Sequence, residues 1–269
     1  MDDRLSILAI GAHPDDCDLA AGGTAAKWAA LGHRVTFLSV TNGDAGHMTQ
    51  GGDVAGRRRL EADEAARRIA IEYVVLDHPD GRLTPSLEAR EQIIRAIRQA
   101  KPDLVLGPRA NDYHPDHRAV AVLVQDAAFL VTVPRIVTDA PALRRPPVFA
   151  HFEDRFVRPV AFRPDIAVAI DDVFDRKIAM LDAHVSQFYE WLPWLADRLG
   201  DVPADAGARR AALARQRTRV LSDAHRKALA KRYGEVFASA VTHAETFEIS
   251  EYGAPADEAT VRRLFPFFP

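Results

Sequence analysis

Along the first 130 residues, short apolar runs alternate with longer Ala-rich and charged stretches, a pattern that predicts a repeating strand–helix chain. Residues 5–10, 35–40, 73–76 and 103–107 have strand length, and the first run is apolar enough to be buried on both faces. Helical spacing falls between them: residues 19–31, closed by Gly32, then about 57–70, 86–100 and 118–130. Such alternation implies a parallel sheet with helices on both faces, and right-handed crossovers favour the strand order 3-2-1-4. In that order strands 1 and 4 are neighbours, and a crevice opens beyond their carboxyl ends. The pattern weakens after residue 130. Residues 131–147 read as a loop, 148–152 and 166–170 as strands, 173–184 as a helix, and 206–232 as one long helix with a solvated charged face. Tyr189, Trp191 and Trp194 fit a core or a subunit interface, and the apolar end from Leu264 to Phe268 is expected to dock on a neighbour.

Composition narrows the class. With 48% hydrophobic and 27% charged residues, the chain reads as a globular protein and not a disordered one. A net charge of -3 provides no basic field for nucleic acid. Cys17 is the only cysteine, so no intramolecular disulfide forms. The start Met1-Asp2-Asp3-Arg4 lacks the features of a signal peptide, which makes the cytoplasm the expected location. No apolar run approaches the roughly 18 residues of a membrane helix.

Chemistry concentrates in two turns. Gly11-Ala12-His13-Pro14-Asp15-Asp16 follows the first strand, and His114-Pro115-Asp116-His117 follows the fourth. If both border the crevice, His13, Asp16 and His117 supply the three ligands that a catalytic zinc ion commonly takes. Asp15 is then placed to accept a proton from water, His114 to serve an oxyanion or leaving amine, and Asp116 to fix an imidazole tautomer. The plainer reading is that His-Pro-Asp makes a good turn, and a third copy, His78-Pro79-Asp80-Gly81, is taken as only that. Two copies, each after a strand and each extended by another ligand type, favour the metal. Asp44, in the loop 41–46, either meets a polar substrate or belongs to a tight turn. Arg58 either reaches a substrate hydroxyl or phosphate or is a surface arginine, and Cys17 reads as packing.

Together these residues resemble the LmbE/PIG-L family of metal-dependent N-acetylglucosaminyl deacetylases. The match rests on Ala12 to Asp16, Thr41 to Gly46, Arg58-x-x-Glu61-Ala62, Asp80-Gly81-x-Leu83 and His114 to His117, with Lys177 and His184-x-Ser186-Gln187 as a weaker extension. The resemblance implies a Rossmann-like, mostly parallel sheet and Zn2+ or another divalent ion on His13, Asp16 and His117. It also implies Asp15 as general base, His114 and Asp116 in support, and Arg58 at the substrate. The implied reaction removes an N-acetyl group from an amino sugar or its conjugate. One domain over residues 1–269 is expected, with a catalytic core to residue 190 and a C-terminal helical extension, 191–269, that shapes the pocket or an interface. A homo-oligomer is a guess from the spare aromatic residues. The alternatives are a non-catalytic metal or sugar binding module and a dinucleotide-binding oxidoreductase. Two carboxylates where a pyrophosphate would sit, and the lack of G-x-G-x-x-G, count against the second.

Overall fold

The computed structural model describes residues 4–269. Its chain runs β1 (Ser6–Gly11), α1 (Asp16–Ala30), β2 (Arg34–Thr41), α2 (Val54–Ile69), β3 (Glu72–His78), α3 (Leu87–Ala100), β4 (Leu104–Gly107) and α4 (Pro115–Leu130). Then follow β5 (Val148–Phe152), β6 (Ile166–Ala169), α5 (Phe174–Asp182), a π-helical turn (Ser186–Trp191), α6 (Leu192–Leu195), α7 (Ala206–Arg217), α8 (Asp223–Tyr233), α9 (Glu235–Ala240), β7 (Ala244–Gly253) and α10 (Glu258–Leu264). The seven strands form one sheet in the order β3-β2-β1-β4-β5-β7-β6. Strands β3 to β5 in that row pair in parallel, and β7 is antiparallel to both of its neighbours. The 3-2-1-4 order read from the sequence is the observed one.

Strand alternation divides the core between the two faces. Ile7, Ala9, Val35 and Phe37 pack with α1, α2 and α5 on one side, while Leu8, Ile10, Leu38 and Val40 pack with α3 and α4 on the other. Small residues let α1 lie close to its neighbours: a Cβ on Gly23 would come within 2.9 Å of the Ile170 side chain. The irregular residues 131–147 are held by Arg98, 1% exposed, whose guanidinium donates to the carbonyls of Leu130, Val131, Val133, Ile136, Val137 and Ala140.

Three expectations need correction. The predicted helix 206–232 is two helices, because the chain leaves α7 at Thr218 and Ser222 begins α8 with a capping box. Strand β7 was read from no sequence pattern, yet it lies inside the sheet between β5 and β6. The segment 191–269 therefore completes the sheet and is more than a helical appendage. The third correction concerns α1 and α4, which begin three residues earlier than the periodicity suggests, so that Asp16 and Asp116 sit in first helical turns where the helix dipole favours a carboxylate. In the aromatic segment Tyr189 is buried, and Trp194 is 47% exposed and stacked on Trp191. The apolar C-terminus docks on its own domain: Phe265 is buried against Trp28, whose indole N–H donates to the Leu264 carbonyl at 2.7 Å.

Glu153, just past β5, fastens the C-terminal part to this sheet. It accepts from the Thr246 hydroxyl at 2.6 Å, meets the His225 ring at 3.0 Å and pairs with Arg219. Burial alone would raise its pKa, but these partners outweigh it and lower the carboxyl from 4.5 to about 2. A depressed folded-state pKa contributes stability that is complete above the unfolded value and is lost as pH falls through the folded one. Glu153 should contribute about 2–3 kcal/mol at neutral pH, declining between about pH 4.5 and 2. Denaturant unfolding across pH 3–7 should show a shallower acid loss in Glu153→Gln than in the wild type; equal slopes would contradict this.

Candidate metal centre and its cleft

Parallel pairing of β1 with β4 places the two His-Pro-Asp turns side by side at the carboxyl ends of adjacent strands. Three donor atoms meet there. His13 Nδ1 lies 3.5 Å from Asp16 Oδ2 and 3.2 Å from His117 Nε2, and His117 Nε2 lies 3.4 Å from Asp16 Oδ2. A tetrahedral ion with ligand bonds of about 2.0–2.1 Å needs ligand separations of roughly 3.3–3.4 Å, so the triangle fits zinc. Asp16 is fixed in place because its Oδ2 accepts the backbone N–H groups of Ala12 and His13, each at 2.8 Å.

The outward ring nitrogens are also held. Asp116, fully buried, meets His13 Nε2 at 3.3 Å while accepting N–H groups from Gly81 and Leu83. Asp80 meets the same nitrogen at 3.1 Å, and Asp112 meets His117 Nδ1 at 3.0 Å. Carboxylates behind both imidazoles accept from the outer nitrogens, and a bound ion would take the inner ones. Burial lowers the pKa of His117, but Asp16 and Asp112 override it and raise the imidazole to about 10. Two other triples, His13/His114/His117 and His13/Asp80/Asp116, also bring donor atoms within 4.8 Å of one another. The first shares His13 and His117 with the triangle and adds His114, whose Nδ1 accepts the Asp116 N–H, and the second lies on the Nε2 side of the His13 ring.

Asp15 Oδ1 accepts from Arg58 Nη2 at 3.0 Å. Burial dominates and raises the Asp15 carboxyl, with the Arg58 charge opposing. Burial, reinforced by the neighbouring His13 and His117 charges, lowers His114, whose Nδ1 accepts the Asp116 N–H and so puts the donor proton on Nε2. Arg58 departs from expectation. It is 2% exposed and donates to Asp15 and to the carbonyls of Pro14 and Gly43, so its reach is inward. Asp44 is exposed and its Oδ1 accepts the Asp80 N–H at 2.9 Å, which pins the 78–81 turn. Neither Arg58 nor Asp44 lines the cleft described below.

Sequence reasoning missed two residues that the structure brings to the centre. Asp80 was set aside with a turn, although its motif copy was the available signal. Asp112, two residues before His114, carried no pattern of its own. The weaker motif is a brace beneath the site: His184 and Asp18 are buried 2.9 Å apart, the Ser186 hydroxyl donates to Glu61 at 2.6 Å, and Lys177 pairs with Glu245 at 2.6 Å.

Asp16, Asp112 and His117 form one end of a cleft of about 570 Å³. Its other walls come from the end of β5 and the segment after it, including Phe152, Arg155 and Phe156, and from the C-terminal part, including Arg217 and Arg219. The described residues contain no helix long and apolar enough to cross a membrane.

A Rossmann-like sheet carrying a His/Asp centre at its switch point is the class defined by fold and geometry. Residues 8–128 match the family model "PIG-L: GlcNAc-PI de-N-acetylase". The chain is 31% identical over 211 residues to diacetylchitobiose deacetylase of Thermococcus kodakarensis, covering 72% of this chain and 76% of that protein. It is 26% identical to 4-oxalmesaconate hydratase of Pseudomonas putida, covering 69% and 75% respectively. Among solved structures, N,N'-diacetylchitobiose deacetylase from Pyrococcus horikoshii superposes with a TM-score of 0.67 over 91% of this chain and 83% of that one, at 24% identity, and so shares its fold. The chain belongs to the PIG-L (LmbE) family.

Gly43, at φ +71°, leaves room for Arg58: a Cβ there would come within 2.4 Å of Arg58 Nη1. Gly43→Ala should therefore lower stability by about 1–3 kcal/mol through backbone strain and overpacking, measured by denaturant unfolding. An unchanged midpoint would show that the guanidinium is not held against this loop.

Proposed function

We propose that this chain is an N-deacetylase dependent on zinc or another divalent ion, acting on an N-acetyl amino sugar or its conjugate. The single observation that carries this reading is the His13, Asp16 and His117 triangle, backed by carboxylates and adjoined by an anchored carboxylate, Asp15. Family membership and the deacetylase named among its relatives support the reaction type.

In this reading His13 Nδ1, Asp16 and His117 Nε2 would hold the ion. When bound, it supplies a Lewis acid for the acyl oxygen and lowers the pKa of an attacking water. Asp15, anchored through Oδ1 by Arg58, takes the proton of that water on its other oxygen and returns it to the departing nitrogen. His114 Nε2–H hydrogen-bonds the oxygen that gains negative charge as the carbonyl carbon becomes tetrahedral. Bond by bond, water adds to the acyl carbon, the C–N bond breaks, and acetate and a free amine leave. Arg58 acts through Asp15 as a positioning residue.

The hydratase relative favours a second reading, addition of water to an unsaturated acid at the same centre. Asp15→Asn tests the first. Its metal content should match the wild type by elemental analysis, while acetate release from N-acetylglucosamine and its oligomers falls by about 10²–10⁴-fold. Undiminished release would remove Asp15 from the chemistry. Zinc-loaded wild type that hydrates an unsaturated dicarboxylic acid and releases no acetate from any N-acetyl sugar would replace the deacetylase with the hydratase. Release of no product from either class would leave the binding module.

A further inference from the structure

The cleft contains a charge imbalance that becomes visible when its ion pairs are assigned. Asp16 and Asp112 face His117, and Glu245 faces Lys177. Arg109 holds Asp154 at 2.6 Å, and Arg219 and His225 hold Glu153. Beyond Asp16 and Asp112, which share His117 at the metal centre, every acid on the cleft wall is therefore paired with a cation. Two guanidinium groups on the same wall have no matching carboxylate or hydrogen-bond acceptor among the described residues: Arg217, the last residue of α7, and Arg155, exposed on the segment after β5.

Arg217 is the more informative of the two. Its Nε is buried and makes no hydrogen bond, and its guanidinium carbon stands 5.2 Å from the centroid of the Phe188 ring. Burial lowers its pKa, opposed only by the charge of Asp15. A partly desolvated guanidinium without a counter-ion is costly, and stacking on a ring recovers only part of that cost. Such a group is poised for an anion delivered from outside, and its planar donor fork suits carboxylate or phosphate oxygens.

We infer that Arg217, assisted by Arg155, makes this cleft a receptor for an anionic group, a carboxylate or a phosphate, carried by the substrate whose reacting end lies at Asp16 and His117. The inference deepens the deacetylase reading and rests on it for the identity of the reacting group. It selects acidic amino-sugar conjugates over neutral sugars. Arg217 is a specificity residue in this account and takes no part in bond making.

The test uses zinc-loaded full-length protein and four probes: N-acetylglucosamine, its 1-phosphate, its 6-phosphate, and N-acetylmuramic acid. Calorimetry gives binding, and acetate release gives kcat/KM. At least one anionic probe should bind about tenfold or more tightly than N-acetylglucosamine, an advantage that declines with added salt. Arg217→Ala should remove most of that advantage and leave the neutral sugar within about threefold. Arg217→Lys should recover part of it, and Arg155→Ala, on an exposed segment, should weaken anion binding with the fold intact. The phosphate and carboxylate probes distinguish the two sources of charge. Equal binding of all four probes, or an equal loss for neutral and anionic probes in both alanine variants, would overturn the receptor. Arg217-dependent anion binding without acetate release from any probe would keep the receptor and discard the deacetylase. Acetate release without charge preference would do the reverse.

Discussion

Parallel pairing of β1 with β4 is the constraint on which the rest of the site depends. Residues about a hundred positions apart in sequence are brought to the same end of two adjacent strands, and each strand is followed by a connection that ends in a helix start. The first-turn carboxylates Asp16 and Asp116 then flank His13 from opposite sides, one at each ring nitrogen. A single imidazole is thus oriented by two helices that are otherwise independent. If β1 and β4 were not neighbours, neither helix could place its carboxylate there.

The second physical theme is the surplus of acid at the centre. Asp15, Asp16, Asp80, Asp112 and Asp116 crowd around His13, His114 and His117, and desolvation opposes every one of these charges. The protein answers with fixed donors: backbone N–H groups for Asp16 and Asp116, and the buried Arg58 for Asp15. What remains is a set of ligand atoms aimed at one point, an arrangement that a divalent cation would complete. The cleft leading away has the opposite character, with two arginines to spare, so the two ends of a bound molecule would meet different fields.

Much of this was legible in the sequence, for definite reasons. Apolar runs of strand length are hard to mistake when both faces are buried, and β1 to β4 followed from them together with their order. His13, Asp15, Asp16, His114, Asp116 and His117 announced themselves through repetition of one short motif after two strands. Strand β7 was hidden because its far end is exposed and its alternation is interrupted by charged residues such as Glu245, which is buried through a pairing that only the fold reveals. Asp80 was masked by the adequacy of a turn explanation, and Asp112 by the absence of any spacing rule. Arg58 sat in a run of three arginines, and nothing local could tell that the middle one points inward. The break at Thr218 to Ser222 was concealed by the helix-favouring composition on both sides.

A crystal structure of the protein equilibrated with zinc, with anomalous data collected across the zinc absorption edge, is the most direct test of the central claim. It should show one peak bonded to His13 Nδ1, Asp16 and His117 Nε2 at about 2.0–2.2 Å, with Asp116 and Asp112 still behind the two rings. A peak on the Nε2 side of His13 among Asp80 and Asp116, or no peak at either place, would contradict the account.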